Sequence, residues 1–167
     1  PMPPQLHGLP FAPWHAAPVN PSDWQALAQQ HPIDEPDFVV PEKFKRVAAG
    51  AVVQEPDGRI WLVAPSNQFG GYNATFPKGT LDGKTPQATA LTEVFEESGL
   101  QVQLVHHLLD VPRSSSYTRY YLAKRMGGHP AHMCWESQAV MLVPVHQLKD
   151  HLNNPHDWAI IEAIKAL

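Results

Sequence analysis

The sequence predicts an α/β fold, and three observations support that prediction. Short runs of apolar and β-branched residues, typical of strands, recur from residue 46 onwards. An amphipathic helix with marked ends is predicted between two groups of these strands, over residues 85–99. A further helix is predicted from Asn154 to Leu167. Strands that alternate with helices in this way are typical of the α/β class.

Composition indicates an ordinary soluble chain. Of its 167 residues, 43% are hydrophobic and 17% are charged, which suits one core and is unlike a disordered or membrane protein. The net charge of −4 argues against a broad nucleic-acid or membrane surface, but it permits a small phosphate-bearing substrate whose charge a metal balances. The single cysteine, Cys134, cannot form an internal disulfide, and no secretory signal or membrane span is visible, so we expect a cytoplasmic protein.

Residues 1–41 are predicted to form a proline-rich N-terminal arm, and residues 42–167 the main domain. Ten of the 18 prolines lie in the arm, which favours extended chain. One short helix is predicted within it, from Ser22 to about Gln30, with Trp24 on its apolar face. Three arrangements of the arm stay open: packing on its own domain, exchange across a homodimer, or binding to a partner module.

Six strands are predicted after the arm. They cover residues 47–53, 60–64, 101–105, 108–111, 117–123 and 139–143. Glu55-Pro56-Asp57-Gly58 lies between the first two strands and predicts a hairpin turn that pairs them. A short helix is predicted from His146 to about Leu152, before the C-terminal helix.

Two segments beside these strands carry candidate binding residues. Residues 65–73 lack periodicity and are predicted to be a loop, in which Phe69 and Tyr72 would stack on a base or pack at a rim. Arg119 lies among tyrosines in a predicted strand. Its planar guanidinium suits a phosphate, and an outward-facing salt bridge is the alternative.

The helix over residues 85–99 carries the strongest chemical signal. Thr85 is a typical N-cap and Gly99 a typical left-handed C-terminal residue. Glu93 faces both Glu96 and Glu97 across one turn, an arrangement that costs a few tenths of a kcal/mol per pair, roughly, in an isolated helix. A divalent cation such as Mg²⁺ would explain this crowding, and a solvated acidic face is the alternative.

The loop that precedes this helix favours the cation. Gly79 and Gly83 permit tight turns, and Lys78 places a positive charge where a phosphate would lie. With this loop, the sequence resembles a Nudix hydrolase: residues 93–100, EVFEESGL, match the second half of the family's signature box without a gap, and residues 76–79, FPKG, resemble its opening. The resemblance implies a Nudix-like α/β/α sandwich around a mixed β-sheet.

The resemblance also implies an activity and a set of carboxylates. The activity is hydrolysis of a nucleoside diphosphate linked to another group, such as a sugar, ADP-ribose or a dinucleoside polyphosphate. Glu93, Glu96 and Glu97 would hold Mg²⁺ or Mn²⁺. Glu93 and Glu97 would also be catalytic, and Glu136 joins them as a candidate general base because the family's loop in that region often reaches over the metal.

The substrate in this interpretation is a small nucleotide, and four side chains are predicted to bind it. They are Lys78, Lys84 and Arg119 on the phosphates and Tyr72 on the base.

Two positions depart from the family's box. Lys84 stands where the box has its first Glu, and Thr92 where it has an Arg that orients the neighbouring Glu. Thr92→Arg is therefore expected to raise kcat about tenfold. The departures leave two alternatives open: a Nudix-fold nucleotide-binding module with weak or no catalysis, and an unrelated interaction domain with an acidic helix.

Overall fold

Strands and helices alternate along the computed structural model, which describes residues 3–6, 8–66, 73–134 and 136–167. The strands in these ranges are β1 (Gln5–Leu6), β2 (Leu9–Pro10), β3 (Val47–Val53), β4 (Ile60–Pro65), β5 (Lys78–Thr80), β6 (Leu100–Pro112), β7 (Tyr117–Gly128) and β8 (Ser137–Val143). The α-helices are α1 (Pro21–Gln30), α2 (Pro86–Ser98), α3 (Leu148–His151) and α4 (Trp158–Lys165). No helix in the described ranges is both long and apolar enough to cross a membrane.

The main sheet has four strands in the order β5-β3-β7-β6. Strands β3 and β7 run parallel, with Val47 opposite Tyr117 and Val53 opposite Ala123, and the other two pairs are antiparallel. Strands β4 and β8 form a separate antiparallel pair. The predicted α/β fold with a mixed sheet is confirmed.

Apolar side chains fill both faces of the main sheet. Along β3, Ala49, Ala51 and Val53 face the core shared with α2, whereas Val52 faces the core shared with α4. This alternation follows from the two-residue period of a strand. Because β3 is buried on both faces, α2 and α4 lie on opposite sides of the sheet.

The predicted hairpin between β3 and β4 is right at its turn and wrong beyond it. The N–H of Gly58 donates to the carbonyl of Glu55 at 2.9 Å, and Gly58 adopts a φ of +95° that favours glycine. Only the pair Gln54–Ile60 continues the ladder. Both hydrogen-bonding edges of β3 are already taken by β5 and β7, so β4 pairs with β8 instead.

The strands after α2 are longer than predicted. The segments 101–105 and 108–111 form one strand, β6, whose register against β7 shifts near Leu104 and again near His107. The bulges lie at the polar residues between the two predicted segments, so the chain continues there as one strand. Strand β7 also continues to Gly128, five residues beyond its predicted end at residue 123.

The N-terminal arm packs against the rest of its own chain. Helix α1 begins at Pro21, and the Oδ1 atom of Asn20 caps it by accepting the N–H of Asp23 at 2.9 Å. Trp24 is buried as predicted, and its ring centroid lies 6.0 Å from that of Phe95 on α2. Of the three arrangements that the sequence left open, the structure shows packing on its own domain.

Candidate active site

Helix α2 presents the candidate carboxylates, and both of its ends are fixed as predicted. The Oγ1 atom of Thr85 accepts the N–H of Ala88 at 3.2 Å. At the other end Gly99 has a φ of +75°, and its N–H donates to the carbonyl of Phe95 at 2.7 Å. The helix therefore starts and stops at defined residues, which sets where its glutamates lie.

Glu93 and Glu97 form a buried carboxyl pair. Glu93 is 9% exposed and Glu97 is 8% exposed, and their carboxyl groups lie close enough for each to shift the pKa of the other. Burial raises the pKa of Glu93 to about 7 and raises the pKa of Glu97 well above its ordinary range. Because both side chains are buried, a solvated acidic face is excluded for these two residues.

Strand β5 closes over this pair. The backbone N–H of Lys78 donates to Oε2 of Glu97 at 3.0 Å, and the positive charge of Lys78 lowers the pKa of Glu97 against the rise caused by burial. At the next residue, a Cβ atom on Gly79 would lie 2.2 Å from Cδ of Glu93. The glycine is therefore required for space, which no turn argument from the sequence identifies.

Glu96 and Glu136 lie at the open side of the pair. Burial raises the pKa of Glu96, the negative charge of Glu136 raises it further, and the positive charge of Lys84 lowers it. The N–H of Cys134 donates to the carbonyl of Glu96 at 2.7 Å, which ties the segment before Glu136 to α2. The structure thus brings Glu136 to the glutamates of α2, and its role as a base stays a prediction.

Lys84 also lies beside the carboxylates. Its charge lowers the pKa of both Glu93 and Glu96, against the rise that burial causes. The tight turn before it, in which Asp82 and Gly83 have positive φ, is closed by a 2.9 Å hydrogen bond from the Lys84 N–H to the Leu81 carbonyl. The structure therefore gives the carboxylates two cationic neighbours from the predicted set, Lys78 and Lys84.

The carboxyl pair fits a hard divalent cation. A cation with oxygen preference would balance the buried negative charge of Glu93 and Glu97, which is otherwise unfavourable. Within the described residues, no three His, Cys, Asp or Glu side chains converge closely enough to hold a metal as they stand. Participation of Glu96 as a third ligand therefore stays a prediction.

Protein acceptors occupy the guanidinium of Arg119, which corrects its predicted role on phosphates. Its side chain is 1% exposed and makes a bidentate pair with Asp110 at 2.8 and 2.9 Å. The remaining donors reach Oε2 of Glu35 and the carbonyls of Pro36 and Asp37. The guanidinium is therefore held entirely by protein acceptors, from β6 on one side and from residues 35–37 on the other.

Two further predictions have different outcomes. Phe69 and Tyr72 lie outside the described residues. Thr92 is 4% exposed and its hydroxyl donates to the carbonyl of Ala88 at 2.8 Å. An arginine at this position would have to displace packed core atoms, so Thr92→Arg is expected to destabilise the protein rather than to activate it.

A buried ion pair that the sequence does not indicate lies next to the site. Arg113 donates to Asp157 and to Thr75, and all three residues are buried. Burial raises the pKa of Asp157, while the charges of Arg113 and Lys78 act in the opposite direction. Lys78 therefore lies within electrostatic reach of both Glu97 and Asp157. Arg113 and Asp157 are 44 residues apart, and no local pattern marks them.

The fold and the site together define an α/β protein that presents a buried carboxylate pair on a loop–helix unit beside a mixed sheet. The family model of the NUDIX domain matches residues 44–164. The chain belongs to the Nudix family, as its signature residues indicated.

Known proteins resemble the chain over different lengths. An RNA pyrophosphohydrolase of Caulobacter vibrioides is 39% identical over 56 residues, which is 33% of this chain and 33% of that protein. The matched stretch thus spans a third of that curated relative. An ADP-ribose pyrophosphatase structure from Streptococcus suis has a TM-score of 0.57 at 19% identity, covering 72% of this chain and 90% of that one. An Ap4A hydrolase structure from C. elegans has a TM-score of 0.58 at 20% identity, covering 72% and 96%. These two structures share the fold.

Proposed function

We propose that the protein is a metal-dependent hydrolase that cleaves a phosphoric anhydride bond in a small nucleotide. The observation that carries this proposal is the buried Glu93–Glu97 pair with Lys78 and Lys84 beside it. Neighbouring carboxylates with raised pKa are suited to a divalent cation, and neighbouring lysines are suited to the phosphates of a substrate. Membership of the Nudix family supports the same reaction class.

In this reaction the glutamates of the site would bind the metal and the lysines would bind the phosphates. Glu93, Glu97 and, in our proposal, Glu96 would hold Mg²⁺ or Mn²⁺. A bound divalent cation supplies charge neutralisation on the phosphates and a more acidic water. Lys78 and Lys84 would orient the phosphate chain, since an ammonium binds phosphate oxygens as a point charge.

Glu136 is proposed as the general base that takes a proton from the attacking water. It is exposed, and its negative charge acts on Glu93 and Glu96, so it stands at the solvent side of the carboxylates. A base must reach the water that attacks, and an exposed carboxylate at the mouth of the site meets that requirement. Glu93 is the other candidate for the general base, because it belongs to the carboxyl pair that would hold the metal.

The proposed substrate class is a nucleoside diphosphate linked to another group. ADP-ribose, nucleoside diphosphate sugars and dinucleoside polyphosphates are its members, and the named activities of the similar structures fall within it. The relative named as an RNA pyrophosphohydrolase adds RNA 5′ ends to the substrates worth testing. We further propose that the protein acts in the cytoplasm. Sedimentation measures whether it is a monomer or a homodimer there.

A nucleotide-binding module with little catalysis is the second candidate. It is favoured by Thr92, which has a short side chain bonded to its own helix at the position where the family's box has Arg. A site without that cation would bind metal and nucleotide but orient Glu93 less firmly.

Turnover with added metal distinguishes the two candidates. The purified chain is incubated with Mg²⁺ or Mn²⁺ and, separately, ADP-ribose, UDP-glucose, Ap4A and 5′-triphosphate RNA, and products are separated by chromatography. We expect metal-dependent release of a nucleotide product that EDTA abolishes. Binding of nucleotide without product would favour the module, and neither binding nor product would contradict both.

A further inference from the structure

We propose that the N-terminal arm is a positioning clamp on α2, with Gln25 and Glu35 as its positioning residues. This inference rests on the proposed function, because α2 carries the carboxyl pair Glu93–Glu97. The clamp consists of polar contacts that join the arm to the first turn of α2 and then to the sheet.

The first contact holds the residue at which α2 begins. The Oε1 atom of Gln25 accepts two hydrogen bonds from Thr85, one from its backbone N–H and one from its hydroxyl, both at 2.9 Å. The Thr85 hydroxyl oxygen in turn accepts the N–H of Ala88. Gln25 therefore fixes the N-cap itself, and with it the backbone directly after Lys84.

The second contact holds the side chain of Gln87, in the first turn of α2. Its Oε1 accepts the N–H of Ile33 at 3.2 Å, and its Nε2 donates to the carbonyl of Ile33 at 2.9 Å. The same Nε2 donates to Oε1 of Glu35 at 2.8 Å. The amide thus pairs with both backbone groups of one arm residue, as a neighbouring strand would, and connects the network to Glu35.

The third contact connects the arm to the sheet. Oε2 of Glu35 accepts from Nη1 of Arg119 at 2.8 Å and from the hydroxyl of Tyr121. Both partners are buried on β7, and Asp110 holds Arg119 from its other side. One carboxylate therefore joins α2, through Gln87, to a fixed point on the main sheet with charge-assisted hydrogen bonds.

The clamp affects the position of the carboxyl pair, because α2 moves as a rigid element from its first turn onwards. Glu93 lies eight residues after Thr85, which is about 12 Å along the helix at about 1.5 Å per residue. A small tilt at the start of α2 therefore displaces the carboxyl pair relative to Lys78 on β5. Misplacement of catalytic groups by about 1 Å can cost about 100-fold in rate.

The arm offers a matched control for each clamp residue. Gln29 is a glutamine one turn after Gln25 on the same helix, is exposed, and makes no side-chain hydrogen bond within the described part of the chain. Asp34 is an exposed acid next to Glu35. Gln29→Ala is therefore the control for Gln25→Ala, and Asp34→Asn is the control for Glu35→Gln. In each pair the same type of side chain is altered, but only one of the two variants removes a clamp contact.

The test measures Mn²⁺ affinity by calorimetry, kcat and KM for the best substrate of the screen, and the melting temperature. We expect Gln25→Ala and Glu35→Gln to lower kcat and weaken Mn²⁺ binding by about tenfold, with KM changed less, while the controls match the unmodified chain. Gln25→Glu keeps an acceptor oxygen for both Thr85 donors and is expected to restore both quantities.

The outcomes separate the clamp from a purely structural role. If Gln25→Ala and Glu35→Gln lower only the melting temperature and keep kcat and Mn²⁺ affinity, the clamp proposal is overturned. Should Glu35→Gln fail to fold, Gln25→Ala decides alone, because Gln25 is only half-buried on α1. If the unmodified chain turns over no substrate, the proposed function fails, and Mn²⁺ affinity still tests the clamp.

Discussion

The backbone N–H of Lys78 donates to Oε2 of Glu97 at 3.0 Å and so joins β5 to α2 at the site. A backbone donor is fixed by the strand and does not depend on the side chain. It holds one oxygen of the buried carboxyl pair and leaves the others for a cation. The pair therefore has a defined position before any metal binds, which favours binding because little ordering is needed.

Glu97→Gln is expected to reduce kcat by about 100-fold or more, because it removes a charged oxygen ligand from the pair. The glutamine still offers an oxygen to the Lys78 N–H and removes a buried charge. The free energy of unfolding at pH 8 without metal is therefore expected to stay the same or to rise. Steady-state turnover and urea denaturation measure the two effects, and unchanged turnover at saturating Mg²⁺ would refute the metal assignment of Glu97.

Gly79→Ala is expected to lower kcat by about 100-fold, because the new Cβ would occupy the space of the Glu93 carboxyl group. Gly58→Ala is the control. Gly58 has a φ of +95°, and a Cβ atom added to it would meet nothing within 4 Å. Its substitution therefore strains the backbone by about 1–2 kcal/mol without touching the site. Comparable kcat in the two variants would contradict the assigned position of Glu93.

Local signals in the sequence were sufficient for α2 and its glutamates. An N-cap, a left-handed glycine and carboxylates three and four apart all lie within one helix, and Thr85, Gly99 and Glu93 are where the pattern puts them. The burial of Glu93 could not be predicted, because it depends on β5, which passes over the helix and has no strand pattern of its own.

Two predictions, the role of Arg119 and the pairing of β4 with β3, failed because the deciding contacts involve residues far apart in the sequence. The tyrosines beside Arg119 favoured a phosphate as its ligand. The guanidinium of Arg119 is instead bound by Glu35, which is 84 residues away in the sequence, and by Asp110, which is nine residues away. The pairing of β4 with β8 is equally invisible locally, since a turn at 55–58 predicts a hairpin with β3. Strand β4 pairs with β8 because β5 and β7 already occupy both hydrogen-bonding edges of β3.

Stability without metal is expected to fall as pH rises. Glu93 has an ordinary carboxyl pKa of 4.5 when unfolded and about 7 in the folded protein, so the folded state holds the proton more tightly. Its contribution is fully present below about pH 4.5 and is lost as pH rises through about 7; at about 1.4 kcal/mol per tenfold change in proton affinity, the loss approaches roughly 3 kcal/mol. Burial also raises the pKa of Glu97, so Glu97 contributes to the same trend.

Urea denaturation at pH 5 and pH 8 in EDTA measures this trend. Glu97→Gln is expected to flatten it, and Mg²⁺ at pH 8 is expected to restore stability by binding the folded state. Equal unfolding free energies at the two pH values would contradict the raised pKa of Glu93.

Asp157→Ala is expected to destabilise the protein by about 3–5 kcal/mol, because it leaves the buried Arg113 charge without its carboxylate. The pair Arg59–Asp57 is also an Arg–Asp bridge at 2.8 Å but lies at the surface, so Asp57→Ala should change stability little. Urea denaturation compares the two variants. Similar small losses in both would mean that water or neighbouring groups already compensate Arg113.

Lys84→Ala tests the cation that stands where the family's box has Glu. Lys84 lies beside Glu93 and Glu96 and immediately before the N-cap Thr85, where the positive end of the helix dipole disfavours a cation. Its removal is therefore expected to leave stability unchanged or slightly improved. It is also expected to tighten Mn²⁺ binding about two- to threefold, because the carboxylates lose a competing charge.

The same variant should bind the substrate more weakly. If Lys84 binds a phosphate, KM rises about tenfold and depends less on salt, since one charged contact is gone. Lys124→Ala is the control, because Lys124 is exposed on β7 and its loss changes the net charge equally. Titrations of KM against sodium chloride compare the three proteins. A KM and salt dependence that match those of Lys124→Ala would show that Lys84 only offsets the charge of Glu93 and Glu96, and the phosphate role would then rest on Lys78.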